Sequence, residues 1–106
     1  MPKYLYQASY TAEGTKGLLK DGGTKRRAAV EEMAKAVGGK LEAFYYAFGG
    51  SDVFVIVDAP DNASAAAVSL AVNASGAVQL KTTVLFTPEE MDQATKKSVS
   101  YRPPGK

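Results

Sequence analysis

The residue with the clearest chemical potential is Asp52. It follows Gly49-Gly50-Ser51 and opens a largely β-branched run, Val53-Phe54-Val55-Ile56-Val57. A carboxylate beside a turn at a sheet end can act as a base or accept a hydrogen bond from a ligand hydroxyl or amine. It can equally cap the backbone amides of the turn, a common use of Asp. Ser51 either offers its hydroxyl to a ligand or fills the turn. Tyr6, Tyr45 and Tyr46 are phenols that need hydroxyl partners if buried. In an internal cavity they could bind a ligand or donate a proton; as core residues they need only a carbonyl. Lys16, in Glu13-Gly14-Thr15-Lys16-Gly17, could hold an anion, although a phosphate loop requires Gly-Lys-Ser/Thr ahead of a helix. Asp52, Ser51, Tyr6, Tyr45 and Lys16 form the candidate ligand-binding set, and no residue is assigned a catalytic role.

The residues that are missing narrow the chemistry further. The chain has 106 residues with no histidine and no cysteine. Disulfides, thiolate nucleophiles and Cys- or His-ligated metals are thereby removed, together with the commonest general base. The acids are scattered without EF-hand spacing. No cofactor and no metal are expected. The net charge of +2 is unevenly placed, because the 11 acids and 9 of the 13 bases precede Lys96. The final stretch, KKSVSYRPPGK, is too sparse in charge and too rich in proline to argue for nucleic acid. No apolar run approaches the roughly 20 residues that span a bilayer. The N-terminus, MPKYLYQASY, lacks a signal-peptide run, so a cytoplasmic location without membrane association is expected.

The elements that position these groups follow from periodicity. Lys3 to Tyr10 alternates as a strand, with Tyr4, Tyr6, Ala8 and Tyr10 on one side. Residues 11–23 carry four glycines and read as a long connection holding a Leu18-Leu19 plug. Thr24 is the expected cap of a helix whose stripe is Val30, Met33, Ala34 and Val37, stopped by Gly38-Gly39. Arg26 and Arg27 in its first turn oppose the helix dipole, which hints at an anion or an acidic neighbour. Strands over 40–48 and 52–59, joined at Gly-Gly-Ser-Asp, read as a hairpin with a tight turn. Asp61 caps a second helix rich in inward-facing alanine. A fourth strand spans 77–87, and Thr87-Pro88-Glu89-Glu90 starts a short helix over roughly 88–98.

The order β-α-β-β-α-β is the ferredoxin-like arrangement, an α+β sandwich with a short C-terminal helix. One domain is expected over 1–98, with a flexible basic tail over 99–106. Two helices can cover only one sheet face. Strict alternation puts Leu41, Tyr45, Val53, Val55 and Val57 on one face and Phe44, Tyr46, Phe48, Phe54 and Ile56 on the other. Either set left open is an apolar patch larger than monomers usually expose. A second copy, in a homodimer or higher assembly, is the expected cover; the alternative is that the terminal helix folds across that face.

Three segments in this order, YTAEGTKGLL, GGKLEAFYYAFGGSDVFVIVDAPD and SLAVNASGAVQLKTTVLFTPEE, resemble the GYD-domain family over about residues 4–92. The resemblance implies a ferredoxin-like chain that assembles as a dimeric α/β barrel, and it implies no established activity. The Gly-Tyr-Asp signature falls on Gly50, Ser51 and Asp52, with serine in place of tyrosine; a function that used that ring loses it here. Two functional readings follow. One is a homo-oligomeric module that binds a small molecule or a partner protein. The other is a cofactor-independent enzyme of oxygenase or isomerase type with its site in a barrel cavity, by analogy of fold.

Overall fold

The computed structural model describes residues 1–106. Strand β1 (Lys3–Tyr10) leads into helices α1 (Ala12–Asp21) and α2 (Gly23–Ala36). Strands β2 (Lys40–Tyr46) and β3 (Val53–Asp58) are followed by helix α3 (Asn62–Ala74), strand β4 (Val78–Leu85) and helix α4 (Pro88–Thr95). The sheet order is β2-β3-β1-β4 and every neighbouring pair is antiparallel. This is the expected ferredoxin-like topology, with β3 inside the sheet.

Residues 11–23, expected to be a connection, form a helix instead. Thr11 caps α1, its hydroxyl accepting from the Gly14 N–H. The Thr11 N–H also donates to the Ala77 carbonyl at 3.0 Å, so the start of α1 is tied to the start of β4. Tertiary contact therefore overrides the weak helix propensity of a glycine-bearing stretch. Gly14 is buried against the Ala77 carbonyl oxygen, which a Cβ there would overlap. Leu19 is not a plug but projects into solvent. Thr24 is not a cap either: α2 begins at Gly23 after Gly22, whose φ of 81° breaks the chain between the two helices.

The remaining caps match expectation. Asp61 accepts from the Ser64 N–H at 2.8 Å, and this bond holds its carboxyl below the usual range. Thr87 and Glu90 form a reciprocal capping box at α4. Gly38, with φ of 78°, ends the α2 turn, where the Gly39 N–H donates to the Ala34 carbonyl.

The core lies between the sheet and the helices. Tyr4, Tyr6 and Ala8 from β1 and Val53, Val55 and Val57 from β3 meet Ala34 of α2 and Ala65 and Val68 of α3. A β-bulge between Leu41 and Ala43 changes the phase of β2. Leu41 and Phe44 therefore both pack on the core, while Tyr45 turns to the opposite face and is largely exposed. Strict alternation had grouped Leu41 with Tyr45; the extra bulge residue separates them. The turn after β2 is also wider than expected. It runs over residues 47–52, is closed by the Ala47 N–H donating to the Asp52 carbonyl, and leaves Phe48 fully exposed.

The opposite sheet face carries no helix. Its β2–β3 half is apolar, with Ala43 and Tyr45 beside Ile56 and Phe54, and Leu5 of β1 adjoins them. Its β1–β4 half is mostly polar, with Gln7, Ser9, Gln79 and Lys81. At one end Lys3 bridges Glu42 and Asp58 at 2.8 and 2.9 Å. Helix α4 does not fold across this face: all its residues are exposed and it makes no extensive contact with another element. With the segment after it, α4 forms an arm that stretches the molecule to 56 Å and gives a radius of gyration of 16.8 Å. A compact chain of this length measures about 13 Å.

Candidate ligand-binding cleft

Helix α2 packs along β2 and α3 along β4, and the two do not close on each other. The gap between them is floored by Tyr6, Val55 and Val57 and walled by Val30 and Met33 of α2 and by Val68 and Val72 of α3. The inner recess measures about 60 Å³. It continues into a groove of about 420 Å³ bounded by α1, where Gly14 and Gly17 keep the wall low. Ligand sites of this kind are mostly apolar clefts of ~300–1,000 Å³ with a few placed polar groups.

The polar groups gather at one end. Tyr46 donates to the Gly23 carbonyl at 3.0 Å. Burial pushes its phenol up, a neighbouring Tyr10 adds to this, and Arg26 opposes it. Tyr10, Tyr46 and Arg26 therefore share one locality. Arg26 borders both recess and groove and is the one charged residue of the recess lining. It is half-buried, and its guanidinium makes no hydrogen bond or ion pair; only its backbone N–H donates, to the Gly22 carbonyl. Its neighbour Arg27 leans toward Glu31 at 3.9 Å. The arginine pair expected to face an anion or an acid thus divides: Arg27 has the acid, and Arg26 has the cleft.

The residues expected to form a site do not come together. Asp52 accepts from the Tyr10 N–H at 2.9 Å, and its own N–H donates to the Ala8 carbonyl. Its carboxylate caps the end of β1 rather than the turn it belongs to. Tyr6 lies on the cleft floor, but its hydroxyl donates to the Ala65 carbonyl at 2.9 Å, and burial pushes its phenol up. Tyr4 likewise reaches Asn62 Oδ1 at 2.6 Å. Both phenols fasten β1 to α3. Ser51 borders a polar depression of about 360 Å³ with Gln7, Ser9 and Lys81, away from the cleft. Tyr45 stands on the uncovered sheet face. Lys16 is exposed on α1, 3.9 Å from Glu13.

Tyr10, Val72 and the cleft role of Arg26 escaped the sequence reading. Tyr10 was visible only as the last residue of an alternating strand. The disfavoured first-turn position of Arg26 was the available signal. No helix is long and apolar enough to cross a membrane.

Comparison with curated proteins and with solved structures returned no match. The GYD domain matches residues 4–95, which takes in β1 from Tyr4 onward and every later strand and helix in full. The chain therefore belongs to the GYD domain family.

Proposed function

We propose that the protein is a homodimeric binding module for a small molecule. Two copies pack sheet to sheet as a dimeric α/β barrel, and the cleft between α2 and α3 takes the ligand. The observation that carries the assembly is the helix-free sheet face, with Tyr45, Phe54, Ile56 and Leu5 contiguous on it. A symmetric contact covers such a patch with a copy of itself. The polar β1–β4 half then rims the interface, where the depression beside Ser51 lies. A cytoplasmic setting is part of this reading.

The enzyme alternative gains no residue from the geometry: Asp52 is engaged by a backbone amide, and Lys16 stands outside the recess and groove. Light scattering after size exclusion tests the assembly. At micromolar concentration the expected mass is twice the 11.2 kDa of the chain. Ile56→Glu should shift the population to monomer, because a buried unpaired carboxylate costs several kcal/mol (roughly a hundredfold or more in affinity). A monomer at that concentration in the unsubstituted protein refutes the dimer. Native mass spectrometry of the same sample reports any small molecule that stays bound.

A further inference from the structure

We infer that the cleft is selective for a small apolar monocarboxylate, with its hydrocarbon body between α2 and α3 and its carboxylate on Arg26. The inference rests on the cleft being a ligand site, as proposed above, and adds the chemical class. Fourteen of the 15 residues lining the recess are hydrophobic, and the remaining one is Arg26. A ligand that fills this space needs an apolar body. A half-buried guanidinium with no partner favours an anion, because its planar fork matches a carboxylate with two parallel hydrogen bonds.

The surroundings set the number of charges. The outer groove also carries Glu13 and Asp21, and neither lies within ion-pair distance of Arg26. These acids disfavour a dianion such as a phosphate monoester, while one carboxylate can be matched by the one guanidinium. Tyr10 stands beside Arg26 in the lining of both recess and groove, where its ring can flank the same group. Arg26 is also correctly placed along the chain. It sits one turn inside α2, so its side chain reaches back toward the mouth while Val30 and Met33, on the same helix, line the apolar part.

The test is a methyl-resolved NMR titration of the full chain with octanoate, octan-1-ol and octyl phosphate. Octanoate should shift the methyl signals of Val30, Val55 and Val72 and bind at least about tenfold more tightly than octanol, the usual gain from a charge-assisted hydrogen bond. Octyl phosphate should bind more weakly than octanoate. Arg26→Gln should remove the preference for octanoate over octanol, while Arg26→Lys should retain part of it. Equal binding of octanoate and octanol in the cleft of the unsubstituted protein overturns the carboxylate assignment but leaves the cleft as a small-molecule site. Absence of cleft shifts with all three compounds overturns both. If Arg26→Gln does not fold, the octanoate-to-octanol ratio in the unsubstituted chain decides.

Discussion

Gly14 and Gly17 lie one turn apart on α1, and the same substitution at each should move stability in opposite directions. Both gain helix propensity on replacement by alanine, worth about 0.8–1 kcal/mol in a helix interior. At Gly17 nothing stands within 4 Å of the new methyl group. Gly17→Ala should therefore stabilise the protein by about 0.5–1 kcal/mol. At Gly14 the methyl would overlap the Ala77 carbonyl oxygen and approach Tyr10 Cδ1 to 2.9 Å. That carbonyl cannot retreat freely, because it accepts from the Thr11 N–H at 3.0 Å. Overpacking costs about 1–3 kcal/mol, and loss of the Thr11 bond adds about 1 kcal/mol. Set against the propensity gain, the net effect should be a loss of about 1–3 kcal/mol. In a chain of this size that lowers the thermal midpoint by about 5–15 °C, while Gly17→Ala raises it by a few degrees. Thermal unfolding followed by circular dichroism, at one fixed protein concentration, measures both. A neutral Gly14→Ala would mean that α1 does not press on the start of β4. A destabilising Gly17→Ala would mean that residues 12–21 are not helical.

Two further outcomes concern the residues expected to do chemistry. Tyr6→Phe removes the phenol bond to the Ala65 carbonyl and should cost about 1 kcal/mol at neutral pH. Burial raises the Tyr6 phenol above its usual 10.0, so its contribution is complete below that pH and is lost as pH climbs through the folded-state value. Lys3, raised by its bonds to Glu42 and Asp58, acts in the same direction above 10.5. Alkaline denaturation should therefore be blunted, not abolished, in Tyr6→Phe; an unchanged profile counts against the phenol. Asp52→Ala strands the Tyr10 N–H and should lower stability by about 1–2 kcal/mol, while Asp52→Asn keeps an acceptor oxygen and loses less. If Asp52→Ala instead keeps full stability and alters octanoate binding in the cleft, the capping role is wrong.

The topology was legible because its signals are local. The valines of β3, the Asp61 cap, the Gly38-Gly39 stop and the Thr87–Glu90 capping box each announce an element boundary without help from distant residues. Two features were not. Helix α1 depends on Thr11 and Gly14 meeting Ala77, more than 60 positions away, and no local pattern encodes that meeting. The bulge in β2 inserts one residue into a pattern of period two, so the sequence shows alternation while the structure changes phase. The candidate site was harder still. Sequence reasoning chose residues by chemical type, and the fold had already engaged Asp52 and Tyr6 in backbone bonds. The cleft arises instead from the splay of α2 and α3, which no short stretch records.

The arm beyond Phe86 has consequences for how the molecule moves. A segment so lightly anchored should tumble on its own timescale, with NMR lines narrower than those of the body. It adds friction out of proportion to its mass, and the chain should sediment more slowly than a sphere of equal weight. Lys96 and Lys97 lie on it in the open, where a trypsin-like protease would cut before reaching any strand. Val99 and Tyr101 would leave with the severed peptide, Met91 would stay with the body, and the sheet would be left whole.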